Sequence, residues 1–144
     1  MADQTESSIE IDAPASTIMD VIADLPAYPQ WSDGITEVTV LEEKNGRPFR
    51  ARFHLESGPI RDTYELQYEW DGDRRVSWTL VAGDMLTGMD GVYELNADGS
   101  GTKVSYRLAV DVKIPMIGMI KRKAERVIVD TALKGLRRRV AELG

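Results

Sequence analysis

The sequence predicts an α+β fold, in which one antiparallel sheet of about seven strands packs against a single long C-terminal helix. Three observations predict it. Between Gly34 and Val112, apolar and polar residues alternate with period two in segments broken by Gly-, Asn- and Asp-rich turns. Ahead of Gly34 lie one short strand pattern and a proline-bounded helical stretch. After Pro115 the spacing becomes helical and stays so to Leu143. Strands joined by hairpin turns form a consecutive meander. A sheet with one apolar face needs cover, and the last helix is the only large apolar element available for it.

The elements follow in order. Ser8 to Asp12 alternates with Ile9 and Ile11 on one face, and Pro14 ends that strand. Ala15 to Leu25 carries Ile18, Met19, Ile22 and Leu25 at helical spacing, with Pro14 or Ala15 at the first helical positions, where a missing N–H costs nothing. Leu25-Pro26-Ala27-Tyr28-Pro29-Gln30-Trp31 is too broken by proline for a long helix and predicts a single turn or short second helix. Strands are expected at Ile35–Glu43, Arg47–Glu56, Ile60–Trp70, Arg75–Val81, Leu86–Leu95 and Thr102–Val112. Their turns are Lys44-Asn45-Gly46, Ser57-Gly58-Pro59, Asp71-Gly72-Asp73, Ala82-Gly83-Asp84 and the run Asn96 to Gly101. Met116 to Leu143 is one helix whose apolar or small positions include Ile117, Ile120, Ala124, Val127, Ile128, Thr131, Leu133, Leu136 and Val140. Repeats, low-complexity tracts and linkers are not evident, so residues 1–144 are expected to form one domain.

The alternation can be carried from strand to strand. One face collects Ala51, Phe53, Leu55, Tyr64, Leu66, Tyr68, Trp70, Val76, Trp78, Leu80, Met89, Gly91, Tyr93, Leu95, Val104, Tyr106, Leu108 and Val110. The other collects Arg50, Arg52, His54, Glu56, Thr63, Glu65, Gln67, Glu69, Arg75, Lys103, Arg107 and Asp111. Pairing Phe53 with Tyr64 and Arg52 with Glu65 keeps the faces apart, whereas a slip of one residue would mix them. On this assignment the inner face is rich in Tyr and Trp and carries no charged side chain. Such a face either fills a core or lines an apolar cavity with a few hydroxyl handles.

Composition narrows the chemistry. No Cys and one His remove disulfides, thiolate metal sites and thiol nucleophiles, and disfavour His-rich metal centres, so neither metal nor cofactor is expected. A net charge of -6 argues against generic nucleic-acid binding. The polar, acidic start Met1-Ala2-Asp3-Gln4-Thr5-Glu6 is the opposite of a secretory n-region, and no run approaches the ~20 apolar residues of a membrane span. A cytoplasmic protein is the expectation.

Three segments resemble the opening of the START-like (SRPBCC) superfamily: Ile9-Glu10-Ile11-Asp12-Ala13-Pro14-Ala15, Val21-Ile22-Ala23-Asp24 and Tyr28-Pro29-Gln30-Trp31. Within it, the polyketide cyclase/dehydrase and coenzyme Q-binding branch is the most similar. The resemblance covers nearly the whole chain. It implies the helix-grip (START/Bet v 1-like) fold, a curved antiparallel sheet around a long C-terminal helix with a deep hydrophobic cavity between them. It also implies a hydrophobic small-molecule partner such as a lipid, sterol, polyketide or quinone, or aromatase/cyclase activity, or protein contacts like those of ribosome-associated toxins. By the same resemblance Trp31 falls near the cavity entrance. Aromatase/cyclases of this kind use a pocket Arg with hydroxyl partners. Here Arg61, at a hairpin end, is the Arg placed to lean toward an opening, since Arg50, Arg52, Arg75 and Arg107 fall on the outer face.

The remaining signals have weaker claims. His54 is the only ordinary proton-transfer residue near neutral pH, but it shares the charged outer face. Asp84 and Asp90 bracket Met85-Leu86-Thr87-Gly88-Met89 and read as solvated carboxylates. Met85, Met89, Met116 and Met119 flank two elements expected to meet at one end of a cavity, where they either adapt to an apolar partner or fill gaps in a core. The last helix is basic, through Lys121, Arg122, Lys123, Arg126, Lys134, Arg137, Arg138 and Arg139; Arg137 to Arg139 near its C-terminus suit the helix dipole, and the alternative is a patch that meets an anionic membrane or RNA. The leading expectation is a binding protein whose ligand contacts Trp31, Phe53, Tyr64, Leu66, Trp78, Met89, Tyr93, Tyr106, Met116, Ile120 and Ala124. A polyketide aromatase/cyclase-dehydrase using the same cavity, and a ribosome- or membrane-associated interaction protein, are the alternatives.

Overall fold

The structure, a computed structural model, describes residues 5–57, 60–113 and 118–143. Strand β1 (Thr5–Ile11) is followed by helix α1 (Ala15–Ala23) and a 3₁₀ helix (Leu25–Gln30). Strands β2 (Ile35–Lys44), β3 (Arg47–Ser57), β4 (Ile60–Asp71), β5 (Arg75–Ala82), β6 (Leu86–Asp98) and β7 (Gly101–Val112) come next, and helix α2 (Gly118–Leu143) closes the chain. The strands make one antiparallel sheet in the order β1-β7-β6-β5-β4-β3-β2. The meander read from the sequence is therefore present, with β1 added beside β7 at one edge. Among the described residues no helix is long and apolar enough to cross a membrane.

Local chemistry accounts for the breaks. Pro14 stands at the N-cap of α1 in extended conformation, and Ile18, Met19, Val21 and Ile22 turn inward. Pro26 then favours a 3₁₀ turn over a continued α-helix, and the Tyr28 hydroxyl donates to the Ile22 carbonyl at 2.5 Å, tying that turn to α1. Asn45 and Gly46 both have positive φ (54° and 81°), the pairing that a two-residue hairpin loop between right-twisted strands requires. The β6–β7 strands extend further than the sequence suggested, through Asp98↔Gly101, so the Asn96–Gly101 turn contracts to two residues. The β3–β4 turn at Gly58 and Pro59 lies outside the described residues.

Register bears out the two faces. Phe53 pairs with Tyr64 and Arg52 with Glu65; Tyr68 faces Trp78, and Tyr93 faces Tyr106. Outward, Glu65 bonds Arg50 (2.9 Å) and Arg52 (3.2 Å), while Arg107 bonds Glu94. Inward, Val76, Val104, Leu95 and Leu108 are buried with Ile18, Met19, Ile22 and Leu25 of the N-terminal helices. From α2, Val129, Leu133, Leu136 and Val140 complete this core.

The cover differs from the expected one over the first half of α2. Leu133, Leu136 and Val140 are buried as expected, but Ile120, Val127 and Ile128 are 54%, 60% and 46% exposed, and Ala124 is exposed too. Glu125 and Val129 take the inward positions. The cause is the edge of the sheet. Among the described residues, β1 ends its pairing at Thr5↔Leu108, which leaves the Val110 amide without a strand partner on that side. The Glu125 carboxylate accepts from this amide (2.8 Å) and from the Thr5 hydroxyl (2.7 Å), so it continues the ladder where the strand stops. A charged residue thus defines the buried side of the helix and turns the isoleucines outward.

Candidate functional site

The inner face holds two groups of aromatic rings. Tyr28 meets Trp31 edge-on at 4.8 Å and Phe53 at 6.3 Å, and Phe53 stacks on Tyr64 at 5.4 Å. Further along the sheet Trp78 sits among Tyr68, Tyr93 and Tyr106 at 5.8, 5.5 and 5.6 Å, and Tyr93 and Tyr106 lie 4.5 Å apart. Gly91 makes this cluster fit. It is the cross-strand partner of Trp78, and a Cβ there would come within 2.2 Å of the indole ring. The bare backbone of Gly91 is the floor on which the indole lies. Gly135 does similar work on α2, since a Cβ there would stand 2.7 Å from the Trp31 carbonyl oxygen.

The polar tips of this face are unusual. None of the hydroxyls of Tyr64, Tyr68, Tyr93 and Tyr106 has a hydrogen-bond partner among the described residues. Yet these oxygens are not sealed: among the described side chains, the polar atoms both sealed and unpartnered are Trp31 Nε1 and Arg50 Nε. The four phenol oxygens therefore keep some accessible surface, and Tyr68 also lines a cleft. Buried hydroxyls normally find a partner, because leaving one dry costs about 1–3 kcal/mol. Burial raises all four phenols above their ordinary range, and the neighbouring Asp62 charge adds to the effect at Tyr64. At neutral pH they are hydrogen-bond donors and not bases.

Two clefts reach these rings. Tyr68 and Trp70 line one of about 600 Å³, together with Phe49, Lys44 and Arg47. The Lys44 ammonium sits 3.8 Å over the Phe49 ring, and the Arg47 guanidinium 5.2 Å from the centre of Trp70. Trp70 donates its indole N–H to the Pro48 carbonyl at 2.6 Å, which fixes that wall. Toward the other end of β3, Trp31 lines a cleft of about 210 Å³ with Ser32, Thr36, Glu56 and Arg138.

Most of the expected contact residues come together. Trp31, Phe53, Tyr64, Leu66, Trp78, Tyr93 and Tyr106 are all buried in one cluster, and Met89 is half-buried against it. Ile120 and Ala124 lie exposed on α2, outside that cluster, because Glu125 holds the buried side of the helix. Met116 falls outside the described residues. Arg61 does not lean inward; its side chain is 80% exposed and pairs with Glu56. His54 remains on the outer face, within 2.9 Å of the Thr63 hydroxyl and 3.5 Å of Glu37.

One residue escaped the sequence reading. The inner face is not free of charge, because Asp62, two residues before Tyr64 and on the same face, is buried. Its carboxylate accepts the backbone N–H groups of Asp84 (3.1 Å), Met85 (3.1 Å) and Leu86 (2.9 Å). It fastens the β5–β6 connection across the end of the aromatic face. Extending the period-two count one step back from Tyr64 would have exposed it. Asp62 and Glu125 spend their acceptor capacity on structure, so the described inner face offers donors and apolar walls and no free base.

Known proteins agree with this architecture. A Mycobacterium smegmatis START superfamily protein is similar at 25% identity, with 99% of each chain covered and a TM-score of 0.91. A Thermus thermophilus protein (23% identity, 98% of this chain and 99% of that one, TM-score 0.83) shares the fold. So does the Zhui aromatase/cyclase of a Streptomyces species (16% identity, 98% of this chain and 94% of that one, TM-score 0.80). No curated protein matches by sequence. The family described as polyketide cyclase/dehydrase and lipid transport matches residues 11–137. Its fold and chemistry support either hydrophobic-ligand binding or cyclase/dehydrase-type function, and on that match this START-like chain belongs to the polyketide cyclase/dehydrase and lipid transport family.

Proposed function

We propose that the chain binds a hydrophobic small molecule that carries carbonyl or hydroxyl oxygens, held between the aromatic face of the sheet and α2. The observation that carries this reading is the set of four buried, neutral phenols with no partner of their own among the described residues. A purely aliphatic guest would leave them dry; an oxygen-bearing guest gives each an acceptor. Trp31, Phe53, Leu66, Trp78 and Met89 supply apolar walls, and the cleft at Tyr68 and Trp70 supplies the way in. Burying about 300 Å² of apolar ligand surface contributes about 7 kcal/mol before association costs. The test is a calorimetric titration with a naphthoquinone and with a saturated fatty acid. The quinone is expected to bind more tightly, and Tyr93→Phe with Tyr106→Phe to weaken it about tenfold or more at ~1–1.5 kcal/mol per lost bond. An unchanged quinone affinity in the double variant would remove the phenols from the account.

A catalytic version uses the same donors. Neutral phenols aimed at the carbonyls of a folded polyketide chain would favour enolisation, cyclisation and loss of water, chiefly by holding a reactive conformer. Tyr64→Phe or Tyr93→Phe then lowers turnover while a product analogue still binds. Equal turnover in both would leave binding as the function.

A further inference from the structure

We infer that the outer face of α2 is a docking surface for an anionic lipid bilayer. At 3.6 residues per turn, Ile120, Ala124, Val127 and Ile128 fall within about 100° of arc, away from the side that Glu125, Val129 and Leu136 bury. These side chains form an exposed apolar stripe over two turns of the helix. Lys123, Lys134 and Arg137 lie along one side of it, with the half-buried Asp130 among them; all three are exposed and have no ion-pair partner among the described residues. The charge is segregated as well. The helix holds eight of the chain's 18 basic residues but only three of its 24 acidic ones, and one of those three is the buried Glu125. The rest of the molecule is acidic and would be repelled by a negative surface, so the helix alone can face one.

Several arguments favour a bilayer over other partners. Nucleic acid would use the cations but gain nothing from exposed isoleucine and valine. A helix lying in the headgroup region uses both, with apolar side chains sinking a few ångströms and lysines and arginines spreading to the phosphates. The orientation is set by Glu125, whose bonds to Thr5 and Val110 lock α2 to the sheet edge with the stripe outward. Docking of this kind goes beyond ligand binding and does not depend on it.

The test is co-sedimentation of the full chain with vesicles of phosphatidylcholine alone and of phosphatidylcholine with about one-third phosphatidylglycerol. Binding is expected to the anionic vesicles only. It should weaken roughly fivefold for each of Lys123→Ser and Lys134→Ser, since each basic side chain near such a surface contributes about that factor, and fall further in high salt. Val127→Ser with Ile128→Ser, both exposed and so compatible with the fold, should abolish it. Equal binding to both vesicles, no binding, or binding that survives the Val127/Ile128 change overturns the inference. So does salt-sensitive retention on RNA that exceeds retention on anionic vesicles. Naphthoquinone titration of the same variants keeps the two readings apart, because loss of docking with unchanged quinone affinity separates the helix surface from the aromatic face.

Discussion

Replacing Gly91 with alanine is expected to cost far more than such a change usually does on a strand. The new Cβ would stand 2.2 Å from Trp78 Cε2 and Cζ2 and 2.6 Å from Nε1. Ordinary carbon contacts begin near 3.5 Å, so the indole must retreat by about 1.3 Å. It has nowhere to go without moving Tyr68, Tyr93 or Tyr106, whose ring centres all lie within 5.8 Å of its own. Overpacking of this kind costs about 1–3 kcal/mol, and the reduced freedom of the unfolded chain returns about 0.4–1 kcal/mol. The net expectation is a loss of about 1–2 kcal/mol, or about 2–8 °C in Tm for a chain of this size. Urea unfolding followed by tryptophan fluorescence measures it, with Gly88→Ala as the control on the same strand. At Gly88 the atoms nearest a Cβ belong to the exposed Asp111 side chain, its carboxylate at 3.2 Å, so that change should stay within about 0.5 kcal/mol. A cycle with Trp78→Leu completes the test: the glycine penalty should largely vanish once the indole is gone. If Gly91→Ala and Gly88→Ala cost the same, Trp78 does not lie on Gly91 and the packing of the aromatic face is misassigned.

Other expectations follow from the same structure. Burial raises all five tyrosines above the ordinary phenol range, so their contribution to stability should be constant below pH ~10, where the unfolded phenols stay protonated, and be lost as pH rises beyond it. Phenolate absorbance should then appear together with unfolding; a graded rise in the folded protein near pH ~10 would contradict the burial. Asp62→Ala should destabilise the fold by about 2–4 kcal/mol and speed amide exchange at Asp84, Met85 and Leu86 above all other sites, because three donors lose one acceptor. Glu125→Ala should cost about 3 kcal/mol by stranding the Val110 amide and Thr5 hydroxyl, with Thr5→Val costing about half as much. Equal thermal stability of Glu125→Ala and the parent chain would show that the sheet edge does not depend on the carboxylate.

How much of this was legible in the sequence depends on which physical signal each residue gives. Strand positions, the Phe53–Tyr64 register and the buried aromatic set could be read because a half-buried strand writes its orientation every second residue. The Asn45-Gly46 turn was legible because few residue pairs tolerate two positive φ angles. The orientation of α2 was not. Hydrophobicity turns Ile120, Val127 and Ile128 inward and Glu125 outward, and the opposite occurs because a ladder amide at the end of the β1–β7 pairing needs an acceptor. That need belongs to the pairing of two strands far apart in sequence, which no local pattern encodes. Asp62 is a mixed case: the period-two pattern puts it on the Tyr64 face, but does not show what covers it. A carboxylate at a strand end looks solvated until the β5–β6 backbone folds over it. The cross-strand fit of Gly91 and Trp78 is likewise a tertiary fact, although both residues were placed on the correct face.

The central claim is that the aromatic face holds an oxygen-bearing hydrophobic guest. Native mass spectrometry of the gently purified protein, followed by solvent extraction of whatever it releases, tests it most directly. The expected result is an adduct that comes away as a quinone, polyketide or similarly oxygenated apolar molecule, and that is depleted when Tyr93 and Tyr106 are both changed to phenylalanine. A protein that runs at its bare mass, and stays bare after incubation with naphthoquinone, would contradict the claim and make the tyrosine cluster a packed core.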